Sequence, residues 1–291
     1  KSLVGRLFVP DRGLVFIMAT GIVVRLISPH LKGKRQDPGV VVLDEEGRYA
    51  ISLLSGHWGG GNALADEVAS LIGARAVIST ASDVLGIPAV EMLARELNCI
   101  IEDPSQVKRI NAALVNGEEV ALYGTSCHER LAELCRSTSH LKLCPDWNSF
   151  LRTSATACVL LTNRELSYSS LTDRAAVCLL RPRNLVVGIG CRRGATAEEI
   201  GSVVFAGLRE GGFSPLSIRE IATIQGKEDE EGLVELARRH GLPVRYHSPE
   251  ALNGVGGLSC SEKVQTLMGV KGVCEPAALL SAPGGRLALP K

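Results

Sequence analysis

Short apolar runs alternate with amphipathic helical segments along the whole chain, and this alternation predicts an α/β fold. Residues 13–18 form a continuous apolar run that is typical of a strand buried on both faces, and residues 22–27 begin a helix. The apolar segments 40–43 and 48–54 flank an acidic turn that ends at Gly47. This pattern predicts a β-hairpin with the glycine in the left-handed conformation.

The predicted hairpin leads directly into a glycine-rich turn, residues 53–62, and then into a helix that ends at Gly73. The helix is predicted to place four apolar side chains on one buried face: Leu64, Val68, Leu71 and Ile72. Glycines let a backbone approach a ligand closely, and amides at the start of a helix carry a partial positive charge. A ligand-binding turn is therefore one interpretation of this segment.

The side chains of the turn are compatible with two interpretations. In the first, His57 exchanges protons near neutral pH, and Ser55 and Asn62 supply hydrogen bonds. The backbone then stabilises an oxyanion through amides of its glycines: Gly56, Gly59 and Gly60. In the second, the segment only connects a strand to a helix, and the histidine caps or packs. Residue chemistry alone leaves both open.

A chain of 291 residues exceeds one ordinary core, so two or three domains are expected. Further strands are predicted at residues 76–78, 99–101, 120–123, 157–161 and 175–180, with helices at 88–97 and 106–115. Residues 125–145 show no clear periodicity, and residues 181–184 have the composition of a domain boundary. We predict a multi-domain protein of three-layer α/β units, with limits at 1–82, 83–180 and 185–291.

The last third restarts the pattern with a strand at 185–190 and a helix that begins at a capping box of Thr196 and Glu199. This helix is predicted to stop at Gly211 and to bury Ile200, Val203, Val204 and Leu208. A strand at 218–224, a helix at 233–240 and short helical pieces at 264–268 and 277–280 are predicted to follow.

A second glycine-containing turn, residues 188–194, differs from the dinucleotide-binding pattern by one residue in spacing and lacks the acidic residue required downstream. Its helix start, with Gly190, Arg192 and Arg193, suits an acidic ligand because arginine binds carboxylates through two parallel hydrogen bonds. Cys191 is predicted to be structural rather than nucleophilic, since no histidine is adjacent.

Two further segments contain candidate ligand-binding residues. Thr20 and Gly21 follow the carboxyl end of the first strand, a usual place for a ligand in an open α/β sheet, and Arg25 lies one turn into the next helix. The alternative is an ordinary turn with a surface arginine. Glu275 precedes a proline at a late helix start, where a favourable helix charge is as good an explanation as a ligand contact.

Composition excludes several classes of protein. A net charge of +1 gives no electrostatic case for binding nucleic acid or an anionic membrane. Nine cysteines without a CxxC pair or zinc-type spacing indicate a reducing compartment, so we expect a cytoplasmic protein without a metal site. No apolar run reaches the ~18 residues of a membrane span, and the first residues lack a secretory signal.

Six ordered segments make the chain resemble the CbiG family of anaerobic cobalamin biosynthesis: residues 16–25, 37–44, 53–62, 80–83, 188–194 and 273–278. They cover the first and last thirds of the chain well, whereas the middle third matches mainly by position and length. The resemblance implies an amino-terminal domain, a middle region and a separate carboxyl-terminal α/β domain similar to the CobE protein. We also expect residues to be absent near Arg12, near Thr125 and after Lys291, where the family pattern is longer.

The resemblance implies a cobalt-precorrin-5A hydrolase, which opens the ring A δ-lactone of its substrate and releases acetaldehyde. His57 is then expected to be the acid/base, with Ser55 and Thr20 as the other catalytic residues. Gly59, Gly60 and Thr20 are expected near the oxyanion, and Arg25, Arg192 and Arg193 are expected to hold the acetate and propionate arms. Further substrate contacts are expected from Gly21, Gly56, Asn62, Gly190, Cys191 and Glu275. Cobalt arrives within the substrate, so no cofactor is expected.

The competing class is a non-catalytic corrinoid carrier or chaperone, which the CobE-like last third suggests. CobE-type proteins lack the first two units, whereas this chain keeps residues 53–62, which favours the enzyme. A nucleotide-dependent α/β enzyme is disfavoured because no P-loop is present. The expected partners are the cobalt tetrapyrrole, neighbouring enzymes of the pathway and a second copy of the chain in a homodimer.

Overall fold

A computed structural model describes residues 3–33, 36–80, 89–124, 128–137, 140–155, 157–165, 176–256, 265–266 and 268–290. The described residues form three β-sheets, and helices cover both faces of each sheet. The predicted α/β class is confirmed. Several predictions fall outside the described residues: the 82/83 limit, residues 81–83 of the fourth family segment, the helix start at Pro88 and the junction at 125–127.

The first unit consists of α1 (Leu3–Leu7), β1 (Gly13–Ile17), α2 (Thr20–Ile27), β2 (Gly39–Leu43), β3 (Tyr49–Leu54), α3 (Gly61–Ile72) and β4 (Arg75–Val77). Its strands lie in the order β1-β2-β3-β4. The β2–β3 pair is the predicted antiparallel hairpin, with Gly47 at φ 64°, and the other two pairings are parallel. Helices α1 and α2 pack on one face, and α3 packs on the other.

Two burial predictions for this unit are wrong. The first strand is not buried on both faces: Val15 and Ile17 are 43% and 63% exposed, because β1 is the edge strand and α3 packs over β2 and β3. In α3, Leu71 is 78% exposed and Ile72 is 49% exposed. The buried side of that helix is instead formed by small residues, including Ala65 and Ala69, which let the helix lie close to the sheet.

The middle unit consists of α4 (Val90–Glu96), β5 (Cys99–Ile101), α5 (Val107–Val115), β6 (Val120–Gly124), α6 (His128–Ser137), β7 (Leu141–Leu143), α7 (Trp147–Arg152), β8 (Ala157–Leu161) and β9 (Ala176–Pro182). The sheet order is β5-β9-β8-β6-β7, and β5 pairs antiparallel to its neighbour. The sequence predicted none of the elements α6, β7 and α7. In the structure, the Asp146 carboxylate caps α7 by accepting a hydrogen bond from the Ser149 amide at 2.8 Å.

The third unit consists of β10 (Leu185–Gly188), α8 (Ala197–Glu210), β11 (Ile218–Ile224), α9 (Glu231–His240), β12 (Val244–His247), α10 (Pro249–Asn253) and α11 (Cys274–Ser281). Its three strands are parallel, with α8 and α9 on one face and α10 and α11 on the other. The capping box is confirmed by reciprocal hydrogen bonds between Thr196 and Glu199. The prediction that α8 buries Val203 is wrong, since that side chain is 74% exposed.

Arg181 lies inside β9 and is fully buried, so this strand extends into the segment predicted as a domain boundary, residues 181–184. Its guanidinium pairs with Glu102, and its Nη1 donates to the carbonyl oxygens of Thr162 at 3.1 Å and Arg164 at 2.6 Å. Arg181 thus holds the segment that follows β8, and this segment contacts the third unit. There the guanidinium of Arg164 lies 3.8 Å from the centre of the Phe213 ring. Arg181 therefore supports the junction between the middle and third units.

Replacing Gly39 with alanine tests the packing of the first unit. A Cβ at Gly39 would lie 2.4 Å from the carbonyl oxygen of Gly59, and neither backbone can move away cheaply. We expect Gly39→Ala to lower the free energy of unfolding by about 2 kcal/mol, measured by urea denaturation. The control is Gly207→Ala in α8, where nothing lies within 4 Å, and which should gain about 0.5 kcal/mol. Equal stability of the two variants would contradict this packing.

Candidate functional site

Strand pairing fixes the edge of the sheet at which the His57 turn lies. Gly13 of β1 pairs with Gly39 of β2, and the residue after Gly39 pairs with Leu54 at the end of β3. The turn that follows Leu54 therefore lies where β1 and β2 begin. Local backbone bonds close the turn, because the carbonyl oxygen of Ser55 accepts hydrogen bonds from the amides of both Gly59 and Gly61 at 3.1 Å.

The glycines of the turn serve two different purposes. A Cβ added at Gly59 would lie 2.5 Å from the Gly39 nitrogen, and a Cβ added at Gly61 would lie 2.6 Å from the Leu54 oxygen. A Cβ added at Gly56 would lie 2.5 Å from the Asn62 side chain. These three glycines are required by close packing within the unit. Gly60, at φ 73°, differs from them, since its added Cβ would approach the Arg95 Nη1 of the middle unit at 3.0 Å.

Two of the backbone amides expected to bind an oxyanion already have partners in this conformation. Gly59 donates to Ser55, and Gly60 donates to the carbonyl oxygen of His57 at 3.2 Å. Asn62 is buried, and its Oδ1 accepts from the Ser52 hydroxyl at 2.6 Å while its Nδ2 donates to the Thr80 hydroxyl at 3.1 Å. Asn62 thus links β3, α3 and the segment after β4, a supporting role that the sequence did not separate from ligand contact.

Ser55 is held in an unfavourable state. Its φ of 51° lies in the left-handed region, which a residue with a side chain rarely adopts. Its hydroxyl oxygen is buried and has no hydrogen-bond partner among the described residues. A strained backbone and an unpaired buried hydroxyl each destabilise a fold, and such features concentrate at functional sites.

A cleft of about 740 Å³ opens beside the turn and is lined by both the first and the middle units. The first unit contributes Asp11, Arg12, Gly13, His57, Trp58, Gly59, Gly60, Ala63, Leu64 and Glu67, and the middle unit contributes Glu91, Ala94, Arg95, Cys99, Ile100, Ile101 and Pro104. This volume lies within the range of small-molecule sites. The sequence assigned no role to Trp58, Arg12 or Arg95. Arg95 and the other middle-unit residues have no local motif and reach the turn only in the folded chain.

The structure does not bring the first-strand candidates to this cleft. β1 runs parallel to β2 and opposite to β3, so the carboxyl ends of β1 and β3 lie at opposite edges of the sheet. The length of β1 separates Thr20 and Gly21 from the His57 edge by roughly 13 Å at about 3.3 Å per residue. Arg25 is exposed, and its Nη1 donates to the Gly21 carbonyl oxygen at 3.2 Å. None of the three lines the His57 cleft.

The third-unit candidates are likewise absent from the lining of the His57 cleft. Arg192 pairs with Glu199 at 2.6 Å, while Arg193 is 96% exposed and lies 3.9 Å from Glu230. Gly190 packs near Cys274, whose Sγ would lie 3.1 Å from an added Cβ, and Glu275 is buried at the start of α11. These residues lie in the third unit, at the starts of α8 and α11, and not in the His57 cleft.

Arg193 lines a second cleft, of about 780 Å³, which is bordered by more carboxylates than arginines. That balance disfavours an acidic ligand there. Lys227 donates to Glu230 at 2.9 Å, and this bond together with the Gly194 amide keeps the pKa of Glu230 below its usual range. Burial raises the pKa of the Cys191 thiol, so the group is neutral near pH 7. This supports the interpretation of Cys191 as a structural residue.

No cluster of three metal-binding side chains occurs among the described residues. Within the same ranges, no helix has both the length and the apolar character needed to cross a bilayer.

The strain at Ser55 gives a stability prediction. Ser55→Gly should raise the free energy of unfolding by about 1 kcal/mol, because it relieves the left-handed φ and removes an unpaired buried hydroxyl at a smaller cost in chain entropy. Ser55→Ala removes the hydroxyl but keeps the backbone strain, so it should gain less. Both are measured by urea denaturation. An alanine variant more stable than the glycine variant would contradict the strain.

Comparison with known proteins gives matches along the whole chain. Family models described as "Cobalamin synthesis G N-terminal", "Cobalamin biosynthesis central region" and "Cobalamin synthesis G C-terminus" match residues 2–83, 88–182 and 185–291, respectively. The cobalt-precorrin-5A hydrolase of Priestia megaterium is 37% identical over 292 residues, covering 100% of this chain and 78% of that protein.

Two further relatives extend the comparison. The cobalt-precorrin-5A hydrolase of Salmonella typhimurium is 34% identical, covering 95% of this chain and 78% of the relative. Protein CobE of Sinorhizobium sp is 29% identical over 100 residues, which is 34% of this chain and 65% of CobE. The similarity to CobE is therefore partial, whereas the hydrolases match nearly the full chain.

Proposed function

The chain belongs to the CbiG family of cobalamin biosynthesis proteins, and from this we propose that it is a cobalt-precorrin-5A hydrolase with its active site in the His57 cleft. One observation carries the assignment to this cleft: a histidine on a strained, glycine-packed turn borders a cleft between two units. A histidine in such a place can transfer protons near neutral pH. The corrinoid ring of the substrate would enter this cleft.

The proposed reaction has two steps, and both need a proton carrier. Water first adds to the lactone carbonyl, with His57 taking its proton. His57 returns this proton to the departing ring oxygen, so the ring opens to a hydroxyethyl group and a carboxyl group, which loses its own proton to solvent. His57 then takes the hydroxyl proton, and the carbon–carbon bond breaks to release acetaldehyde. The electron pair of that bond stays on the macrocycle carbon, which receives a proton. One water is consumed, and no oxidant or reductant is needed.

Ser55 is proposed to assist this chemistry. Its buried hydroxyl lies two residues before His57 and has no partner within the described part of the chain, so a small movement of the turn on substrate binding would let it donate a hydrogen bond. Such a movement would also relieve the unfavourable φ of Ser55. Cobalt is part of the substrate, so no resident metal or other cofactor is proposed.

Some earlier expectations stay predictions without a place in this cleft. They concern binding of substrate arms by Gly21, Arg25, Gly190, Cys191, Arg192, Arg193 and Glu275, and catalysis by Thr20. A homodimer, contacts with neighbouring enzymes of the pathway and a cytoplasmic location also stay predictions. The carrier alternative differs in one respect: a carrier would bind the tetrapyrrole without releasing acetaldehyde.

Replacement of His57 tests the proposal. We expect His57→Ala to lower acetaldehyde release from cobalt-precorrin-5A, assayed without oxygen, by roughly 100-fold or more, because a general acid/base contributes that much. Circular dichroism checks that the variant is folded. The control is His240→Gln, which changes an exposed histidine at the end of α9 and should keep wild-type activity. Undiminished release by folded His57→Ala would exclude the acid/base role, and no release by the wild type would exclude the hydrolase.

A further inference from the structure

The side chain of Arg95 reaches the His57 turn from a different unit. Arg95 lies in the last turn of α4, in the middle unit, and its Nη1 lies 3.0 Å from the position of an added Cβ on Gly60. An added Cβ on Gly60 would meet a middle-unit side chain, whereas a Cβ on each of the other glycines of the turn would meet atoms of the first unit. The guanidinium therefore lies in the same cleft as His57, next to the turn, although the middle unit carries it.

The charge of Arg95 is not neutralised within the described residues. Its side chain is exposed, and no carboxylate in the described ranges lies within ion-pair distance of it. The nearest candidate by helix geometry is Glu91, four residues earlier on α4. Glu91 instead accepts a hydrogen bond from the Asn111 Nδ2 at 2.7 Å.

Asn111 holds the start of α4 as well. Its Oδ1 accepts from the amide of Val90 at 3.0 Å, so one side chain both caps α4 and engages Glu91. This arrangement leaves Arg95 available while fixing the helix that carries it. The other carboxylates along the cleft, Asp11 and Glu67, are exposed residues of the first unit.

We propose that Arg95 binds a carboxylate arm of the tetrapyrrole substrate and so holds the middle unit against the His57 turn. This inference rests on the proposed function, which supplies a substrate rich in acetate and propionate groups. Arginine suits the task because its planar guanidinium donates two parallel hydrogen bonds to one carboxylate. Lysine keeps the charge but loses that geometry.

A binding assay tests the role of Arg95 independently of catalysis. The probes are a corrinoid that carries free carboxylates and the same corrinoid fully methyl-esterified, each titrated by its visible spectrum against wild type, Arg95→Gln and Arg95→Lys. We expect Arg95→Gln to weaken binding of the acid by about tenfold, the value of one charged hydrogen-bonded pair, and to leave binding of the ester unchanged. The affinity of Arg95→Lys for the acid should lie between the affinities of wild type and Arg95→Gln. The control is Arg109→Gln, an exposed arginine on α5 that does not line the cleft.

Turnover gives the second readout. Arg95→Gln should raise the KM for cobalt-precorrin-5A about tenfold with a much smaller change in kcat, while Arg109→Gln should match wild type. If Arg95→Gln weakens binding of the acid and of the ester equally, Arg95 has a structural role and the inference is overturned. An unchanged KM in Arg95→Gln would overturn it as well. If the wild-type protein binds the acid corrinoid in a way that depends on Arg95 but releases no acetaldehyde, the proposed hydrolase activity is refuted and the Arg95 inference stands. Wild type that binds no corrinoid would refute both.

Discussion

The position of the His57 turn depends on a contact between two glycine backbones. A Cβ on Gly39 would meet the Gly59 carbonyl oxygen at 2.4 Å, and a Cβ on Gly59 would meet the Gly39 nitrogen at 2.5 Å. Residues with side chains cannot approach so closely, so the contact fixes the turn against the start of β2. It also leaves Gly60 facing the cleft. One short segment thus combines glycines needed for packing with a glycine needed to accommodate Arg95.

Strand direction decides which of the candidate residues share a site. The sequence predicted β1, the hairpin and the following helix, and all of them are confirmed. It did not reveal that β1 pairs in parallel with β2, because an apolar run carries no information about its partner or direction. That pairing, combined with the reversal at Gly47, places Thr20 at one edge of the sheet and His57 at the other. Thr20 and His57, which were both expected to be catalytic, are therefore far apart in the folded chain.

The remaining differences between prediction and structure have a common physical origin in tertiary contacts. Leu71 and Val203 satisfied a helical apolar period, yet the helices approach their sheets through smaller residues such as Ala65. Arg181 had the composition of a linker, yet it is buried because Glu102 and two carbonyl groups, distant in sequence, converge on it. Burial of a charge is tolerated only with such partners, which no local pattern reveals.

A cleft between two units also changes what substrate binding can accomplish. His57 is fixed to the first unit by the glycine contact, and Arg95 is fixed to the middle unit by a helix that Asn111 caps. Each group lies on a rigid element, so the distance between them is set by how closely the two units approach. A ligand that contacts both groups would stabilise their closest arrangement, and binding energy from a remote carboxylate arm would then serve to align the lactone with His57. The strain at Ser55 fits this arrangement, since a turn held in an unfavourable conformation is poised to move when the cleft is filled.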